Sequence, residues 1–244
     1  MYTGSIPVVA SLAPPAMFVL VHSLLVGPAT WRPTAAALRA RGHATVVPAL
    51  PAEPPLWPRA RDAVAQAAAD LDGPLVLAGH SGAGLLLPAL AEALPRPPAA
   101  ALFVDAFLPQ PAGRAALVED EQRRRLRALS DDRGVLPPWH AWFGEDAMAE
   151  LVPDPDLRAE LEAEMPGLPL DALAAAVPVP AGWIDGPCGY LLLSPEPYAP
   201  AGAQARERGW PVAELPGRHH LSIATDPDAV ADALVGLTRA ATGS

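Results

Sequence analysis

Residues 74–84 (PLVLAGHSGAG) contain the side chain best placed to act as a nucleophile, Ser81. Residues 75–78 are an apolar run that predicts a buried strand, and the apolar run at 85–94 predicts a helix. A serine between small residues at such a tight turn adopts a strained backbone, and its hydroxyl projects from the sheet edge. The usual pattern is G-x-S-x-G. Here Ala83 holds the fifth position, and glycine follows it. Alanine is small enough for the turn. An ordinary glycine-rich turn is the alternative.

A serine nucleophile needs a base, and two adjacent histidines are the candidates. His219 and His220 follow the last predicted strand, and Asp226-Pro227 lies just downstream. This loop returns to the sheet edge where Ser81 lies, and the spacing to Asp226-Pro227 favours His220 over His219. A metal site at the histidine pair is disfavoured, because no acidic cluster accompanies it.

Asp105 is the favoured candidate for the acid that would orient the base. It follows the apolar run 100–104, so it opens onto the same sheet edge as Ser81. Capping of the following turn is its alternative role. Glu196, after the apolar run 190–193, is the rival acid, whereas Asp185 precedes that strand and lies at its wrong end. The acid would hold the histidine tautomer and stabilise the imidazolium.

The composition narrows the class of protein. The chain has 244 residues, 51% of them apolar, and a formal charge of −10, which disfavours nucleic acid as a partner. All 17 basic residues are arginine, which excludes pyridoxal-phosphate Schiff-base chemistry and a lysine P-loop. Cys188 is the single cysteine. No signal peptide or membrane span is recognisable, so we expect a cytoplasmic protein that uses no cofactor and no metal.

Strand and helix patterns alternate along the chain, which predicts an α/β fold with a mainly parallel twisted sheet and helices on both faces. Strands are predicted at 6–10, 17–21, 44–48, 75–78, 100–104, 190–193 and 211–215, and helices at 31–41, around 64–71, at 85–94 and from Asp226-Pro227 onward. Asp226 is expected to cap the last helix.

Residues 109–182 differ in composition from the rest of the chain and predict a largely helical insertion between two strands of the core. Helices are expected at 113–130 and 157–165. The arginine run at 123–127 predicts a solvated helix face or, alternatively, a patch for a phosphopantetheine arm or an acyl carrier. The aromatic residues of this insertion, together with Phe107, either pack beneath it or line an apolar pocket; these are Trp139, Trp142 and Phe143.

The motifs resemble those of the α/β-hydrolase superfamily over nearly the whole chain. The order Ser81, Asp105, His220 is its nucleophile–acid–histidine order. Residues 21–25 (VHSLL) look like its oxyanion loop, usually His-Gly-x, and Ser23 replaces the glycine. The loop's length also resembles that of the plant methylesterase and hydroxynitrile lyase branch.

By this resemblance, the backbone N–H groups of Leu24 and Gly82 would hold the oxyanion. His22 follows the first strand and is expected to anchor the next loop; it also counts as a candidate substrate-binding residue. An acid at Asp105 is similar to chain-releasing thioesterases and haloalkane dehalogenases, whereas most members place it after the next strand. The usual Gly-x-x-Asp is missing there, which favours Asp105, while Ser81 argues against dehalogenases and epoxide hydrolases, which use an aspartate nucleophile.

The resemblance implies a core of residues 1–108 and 183–244 with a cap at 109–182. The predicted function is that of a serine hydrolase that cleaves a small hydrophobic ester or thioester. The alternatives are a lyase, eliminase or cyclase that uses the same residues for proton transfer, and a ligand-binding receptor on the same fold.

Overall fold

Parallel strands form the central sheet of the computed structural model, which describes residues 15–144 and 146–243. The strands, in chain order, are β1 Met17–Val21, β2 Ala44–Val46, β3 Leu75–His80, β4 Ala100–Val104, β5 Gly113–Ala116, β6 Val135–Leu136, β7 Leu168–Pro169, β8 Ala176–Val179, β9 Cys188–Leu192 and β10 Val212–Glu214. Six of them make one sheet in the order β10-β9-β4-β3-β1-β2, with every neighbouring pair parallel.

Helices cover both faces of this sheet. They are α1 Arg32–Ala40, α2 Leu56–Ala68, α3 Leu87–Ala93, α4 Asp120–Arg127, α5 Ala147–Leu151, α6 Pro155–Ala163, α7 Leu170–Leu173, α8 Pro195–Glu207, α9 Ser222–Thr225 and α10 Pro227–Thr242. Alternate strand residues serve opposite faces: Leu77 packs in the cluster that includes α2 and α3, and Val76 in the cluster that includes α1 and α10. The expected α/β fold with a parallel sheet is therefore confirmed.

The buried strands match the sequence predictions most closely. β1 and β4 have the predicted bounds, and β3 extends two residues further, to His80. The strand predicted at 6–10 lies outside the described residues. The last helix begins at Pro227 as expected, but Asp226 does not cap it through its side chain, because that carboxylate is paired with Arg218.

The segment between β4 and β9 is less helical than predicted. Residues 113–116, expected to begin a helix, form β5, which pairs antiparallel with β8, and the helix starts only at Asp120. The partner strand lies about sixty residues away, so no local pattern could indicate this pairing. The predicted helix at 157–165 is present as α6. No helix in the described ranges is long and apolar enough to cross a membrane.

The turn after β3 depends on a glycine one position later than the usual pattern. Ala83 is fully buried and tolerated, whereas a Cβ added to Gly84 would lie 2.3 Å from the carbonyl oxygen of Phe107 and 2.9 Å from Ala106 Cβ. Gly84 therefore lets the turn pack directly against the chain that leaves β4.

We expect Gly84→Ala to destabilise the fold by about 1–3 kcal/mol, because backbone must move to make room for the methyl group. Gly236→Ala is the matched control: Gly236 lies on the exposed side of α10, with open space around its Cβ position. That change should stabilise by about 0.5–1 kcal/mol through helix propensity. Urea unfolding of both variants measures the difference, and a neutral Gly84→Ala would contradict the close packing.

Candidate active site

The carboxyl ends of neighbouring parallel strands bring the candidate residues together. Ser81 directly follows β3, Asp105 directly follows β4, and His220 lies in the loop between β10 and α9. β3 and β4 are adjacent in the sheet, and β9 lies next to β4. In an open α/β sheet this edge is where ligands bind.

Ser81 has the strained backbone expected of the turn. Its φ is 60°, in the left-handed region that non-glycine residues rarely adopt. The residue begins a short 3₁₀ helix, Ser81–Leu85, and its side chain is partly exposed to two cavities. A strained residue of this kind persists only where the surrounding structure holds it in place.

Asp105 is fully buried, and hydrogen bonds satisfy its carboxylate. Oδ2 accepts from His220 Nδ1 at 2.8 Å and from the Ser194 hydroxyl, while Oδ1 accepts from the backbone N–H of Leu193 at 2.9 Å and of Ser194 at 3.0 Å. Burial alone would raise the pKa of Asp105, but the hydrogen bonds from His220 and Ser194 outweigh it and hold that pKa below its ordinary value. The carboxylate is therefore ionised at neutral pH.

His220 and its neighbours occupy distinct positions. Because His220 Nδ1 donates to Asp105, its neutral ring presents Nε2 as an acceptor. His219 instead accepts from the N–H of Leu221 and contacts the Thr225 hydroxyl at 3.3 Å. His80 donates from Nε2 to the carbonyl oxygen of His220 at 3.0 Å. Burial lowers the pKa of His80 well below its ordinary value, so this ring is neutral.

Tyr198 lies beside Ser81 and His220, a position that the sequence did not reveal. Its hydroxyl lies 3.2 Å from Ser81 Oγ and 3.4 Å from His220 Nε2, and no hydrogen bond joins Ser81 to His220 within the described ranges. Burial raises the pKa of Tyr198 to about 12, so the phenol is protonated. The helical φ/ψ pattern of α8 breaks at Glu196 and Pro197, just before this residue. Only this proline-rich break signals that the chain turns back toward the site.

The two N–H groups proposed to hold an oxyanion lie beside Ser81. Leu24 and Gly82 both line the larger cavity together with Ser81. Among the described residues, neither N–H donates to a backbone or side-chain acceptor. Ser23 turns its hydroxyl into this loop and accepts from the N–H of Leu25 at 3.3 Å.

Two cavities meet at Ser81. The larger one has a volume of about 520 Å³, partly open to solvent, and its walls are mostly apolar. Beyond the loop residues already described, it is lined by Phe107, Leu117, Val118, Gln122, Leu126, Trp142 and Leu173. The smaller one, of about 230 Å³, extends toward His220 and is lined by Trp139 and Leu221 among others. An apolar cavity with few polar groups is typical of a small-molecule site.

Two predicted substrate-binding residues lie elsewhere. His22 is buried but does not line either cavity: its Nδ1 donates to the Ser23 carbonyl at 2.7 Å, and its Nε2 accepts from the Leu50 N–H at 3.2 Å. The ring therefore anchors the loop after β1, as expected from its place in the sequence, and it does not line either cavity. Phe143 is half exposed and packs edge-on against Trp139, outside both cavities. The sequence shows which residues are aromatic, but it does not show which of them line a cavity and which lie on the protein surface.

The rival acids do not reach His220. Glu196 is exposed on the outer side of the break before Tyr198, and Asp185 ends a 3₁₀ turn ahead of β9, at the opposite edge of the sheet. Ser194, which sequence reasoning passed over as a neighbour of Glu196, is the residue from this segment that contacts Asp105.

The sequence model of the alpha/beta hydrolase family matches residues 18–233. No curated protein sequence matches the chain significantly.

Solved structures with the same fold include a Paenibacillus extracellular alpha/beta-hydrolase described as sharing structural and functional homology with tobacco salicylic acid binding protein 2 (21% identity, TM-score 0.72, covering 91% of this chain and 99% of that one). A pyrethroid hydrolase from Sphingobium faniae shares 19% identity at a TM-score of 0.71, covering 95% of this chain and all of that one. Tomato methylketone synthase I, bound to 2-tridecanone, shares 19% at 0.72, covering 93% and 99%.

Identities near 20% show a common fold and nothing finer, whereas the family match spans most of the sequence. The chain belongs to the alpha/beta hydrolase family.

Proposed function

We propose that this protein is a serine hydrolase that cleaves an ester or thioester with a hydrophobic acyl group through an acyl-enzyme. The observation that carries the proposal is the strained Ser81 at the mouth of an apolar cavity, beside a His220 ring held by the buried Asp105 carboxylate. This combination supplies a nucleophile, a base and an orienting acid.

In the proposed reaction, Ser81 Oγ attacks the substrate carbonyl carbon and its proton passes to His220 Nε2. The carbonyl oxygen becomes an oxyanion, which the N–H groups of Leu24 and Gly82 are positioned to stabilise. Collapse of the intermediate breaks the bond to the leaving group, which takes the proton from His220. Water then attacks the carbonyl carbon of the acyl-enzyme while His220 takes one of its protons. The bond to Ser81 Oγ breaks, His220 returns the proton to Ser81, and the carboxylic acid leaves.

The lining of the larger cavity supports an apolar acyl group. Leu117, Leu126 and Leu173 come from the segment between β4 and β9, so we propose that residues 109–182 act as a cap. A carrier-bound substrate would need the arginines of α4 to be free for an acidic carrier. Two of them are already paired with carboxylates, Arg123 with Asp171 and Arg125 with Glu121, so the proposal favours a small-molecule substrate.

A non-hydrolytic reaction is the second candidate, and one observation favours it. Ser81 bonds to Tyr198 and not to His220, so His220 and the protonated phenol could exchange protons with a substrate directly. A structural neighbour, methylketone synthase I, bears the name of a synthase.

The first test is Ser81→Ala. A fluorophosphonate should label wild-type Ser81, and p-nitrophenyl esters should be turned over; the variant should lose labelling and at least about 10³-fold in kcat with an unchanged fold. Labelling without turnover would favour the non-hydrolytic candidate. The absence of both labelling and turnover would favour a receptor. Retention of more than about a tenth of the activity would rule out Ser81 as nucleophile.

Asp105→Asn should lower kcat by up to about 10⁴-fold, because the amide cannot hold His220 in the required tautomer. Asparagine tolerates the left-handed backbone of this residue, whose φ is 45°, so the loop should keep its shape. Glu196→Gln is the matched control, an exposed carboxylate changed in the same way, and should retain activity. Equal losses in the two variants would remove Asp105 from its proposed role.

His220→Ala should lose at least about 10³-fold in kcat, whereas His219→Ala should lose less than about tenfold, because the hydrogen bonds of His219 go to its own loop and to the adjoining α9. The wild-type kcat/KM should also fall at acidic pH, since a protonated His220 cannot accept the serine proton. The lowered pKa of Asp105 keeps that carboxylate ionised there, so the fall reports the histidine. A rate independent of pH between about 5 and 8 would exclude a histidine base.

A further inference from the structure

Tyr198 lies against both Ser81 and His220. Its hydroxyl is within hydrogen-bond distance of Ser81 Oγ, and its ring stacks on His220 with the centroids 4.9 Å apart and the planes 8° from parallel. The side chain is only 6% exposed. It therefore has a fixed position between the nucleophile and the base of the proposed reaction.

The stacking decides which of the two contacts is a good hydrogen bond. The lone pair of His220 Nε2 lies in the plane of the imidazole, while nearly parallel rings place the phenol oxygen in a neighbouring plane. The 3.4 Å contact between Tyr198 and His220 is thus mainly a stacking contact. The hydroxyl of Ser81 bonds to Tyr198 and is held away from its base.

Phe107 connects Tyr198 to the larger cavity. Its ring centroid lies 5.1 Å from that of Tyr198, with the two ring planes tilted by 50°. Phe107 is 39% exposed and lines the apolar cavity, so an acyl chain that fills the cavity would press on it. The Phe107 ring in turn contacts the ring of Tyr198.

From these contacts we infer that Tyr198 holds Ser81 in a resting state, from which an acyl chain long enough to press on Phe107 releases it. The inference rests on the proposed function and narrows its substrate class to esters or thioesters with an extended apolar acyl chain. We expect a short acyl group, such as acetyl, to press on Phe107 less than an extended chain does, and so to react mainly with the fraction of molecules already released.

That fraction sets the size of the effect. An enzyme whose competent state is partly populated loses apparent rate in proportion to the missing fraction. One neutral hydrogen bond shifts such an equilibrium by roughly 2- to 13-fold. Removal of the phenol oxygen should therefore raise kcat/KM for an acetyl ester by about 3- to 10-fold.

The experiment compares p-nitrophenyl acetate and p-nitrophenyl octanoate with wild type and Tyr198→Phe. We expect the acetate kcat/KM to rise as above and the octanoate value to change by less than about twofold. Tyr190→Phe is the matched control, since that hydroxyl bonds only to the backbone of Ala106. It should leave the octanoate-to-acetate ratio unchanged.

A second measurement uses the unaltered protein. A non-reacting apolar chain, n-hexane, should fill the cavity and speed acetate turnover by wild type, because it replaces the missing acyl chain. It should have no such effect on Tyr198→Phe. Inhibition of wild type by n-hexane would contradict the inference without any variant having to fold.

The remaining outcomes separate the two proposals. Loss of both activities by about 100-fold or more in Tyr198→Phe would mean that the phenol carries the serine proton, which overturns a restraining role. An unchanged octanoate-to-acetate ratio, with Ser81 still labelled by a fluorophosphonate, overturns this inference alone. Absence of labelling at Ser81 in wild type and variants overturns the proposed function, and the inference with it.

Discussion

A buried carboxylate constrains the architecture around the site. Asp105 has no exposed surface, and an ionised carboxylate without partners would cost several kcal/mol in such a position. Its donors come from two other parts of the chain: the end of β9 through Leu193 and Ser194, and the loop after β10 through His220. The carboxylate thereby fixes how three segments meet. The sheet brings these segments near one another, and the carboxylate sets their final alignment.

Because Asp105 follows β4, the segment after β9 does not have to supply the carboxylate that contacts His220. The motif resemblance places the usual family acid after this strand, where the chain has Ser194 and, a few residues on, Tyr198. The Ser194 hydroxyl donates to Asp105 from the neighbouring strand, and the Tyr198 hydroxyl contacts Ser81 Oγ. With the acid after β4, a residue after β9 no longer has to bind the histidine.

Sequence reasoning succeeded where a residue's position follows from one strand. β1 and β4 are continuous apolar runs buried in the sheet, so their bounds are visible locally, and Ser81, Asp105 and His220 could be placed near one edge from strand order alone. It failed where the role depends on a distant partner. β5 forms only because β8 lies beside it. The anchoring role of His22, in contrast, was expected from its place after β1, and its ring bonds to Ser23 and Leu50.

Tyr198 shows why the most local reading of a site is incomplete. A phenol acts where its oxygen lies, at the far end of the side chain, so its neighbours depend on the direction in which the backbone presents it. Here the break at Glu196 and Pro197 sets that direction, and the ring fills the space between Phe107 and His220. The same packing that buries the ring also keeps its hydroxyl protonated, because burial disfavours the phenolate. A protonated phenol can hold a neighbouring serine by a hydrogen bond without taking the serine proton. In the proposed reaction, the step that would control Ser81 is therefore displacement of the Tyr198 phenol by substrate, and not ionisation of that phenol.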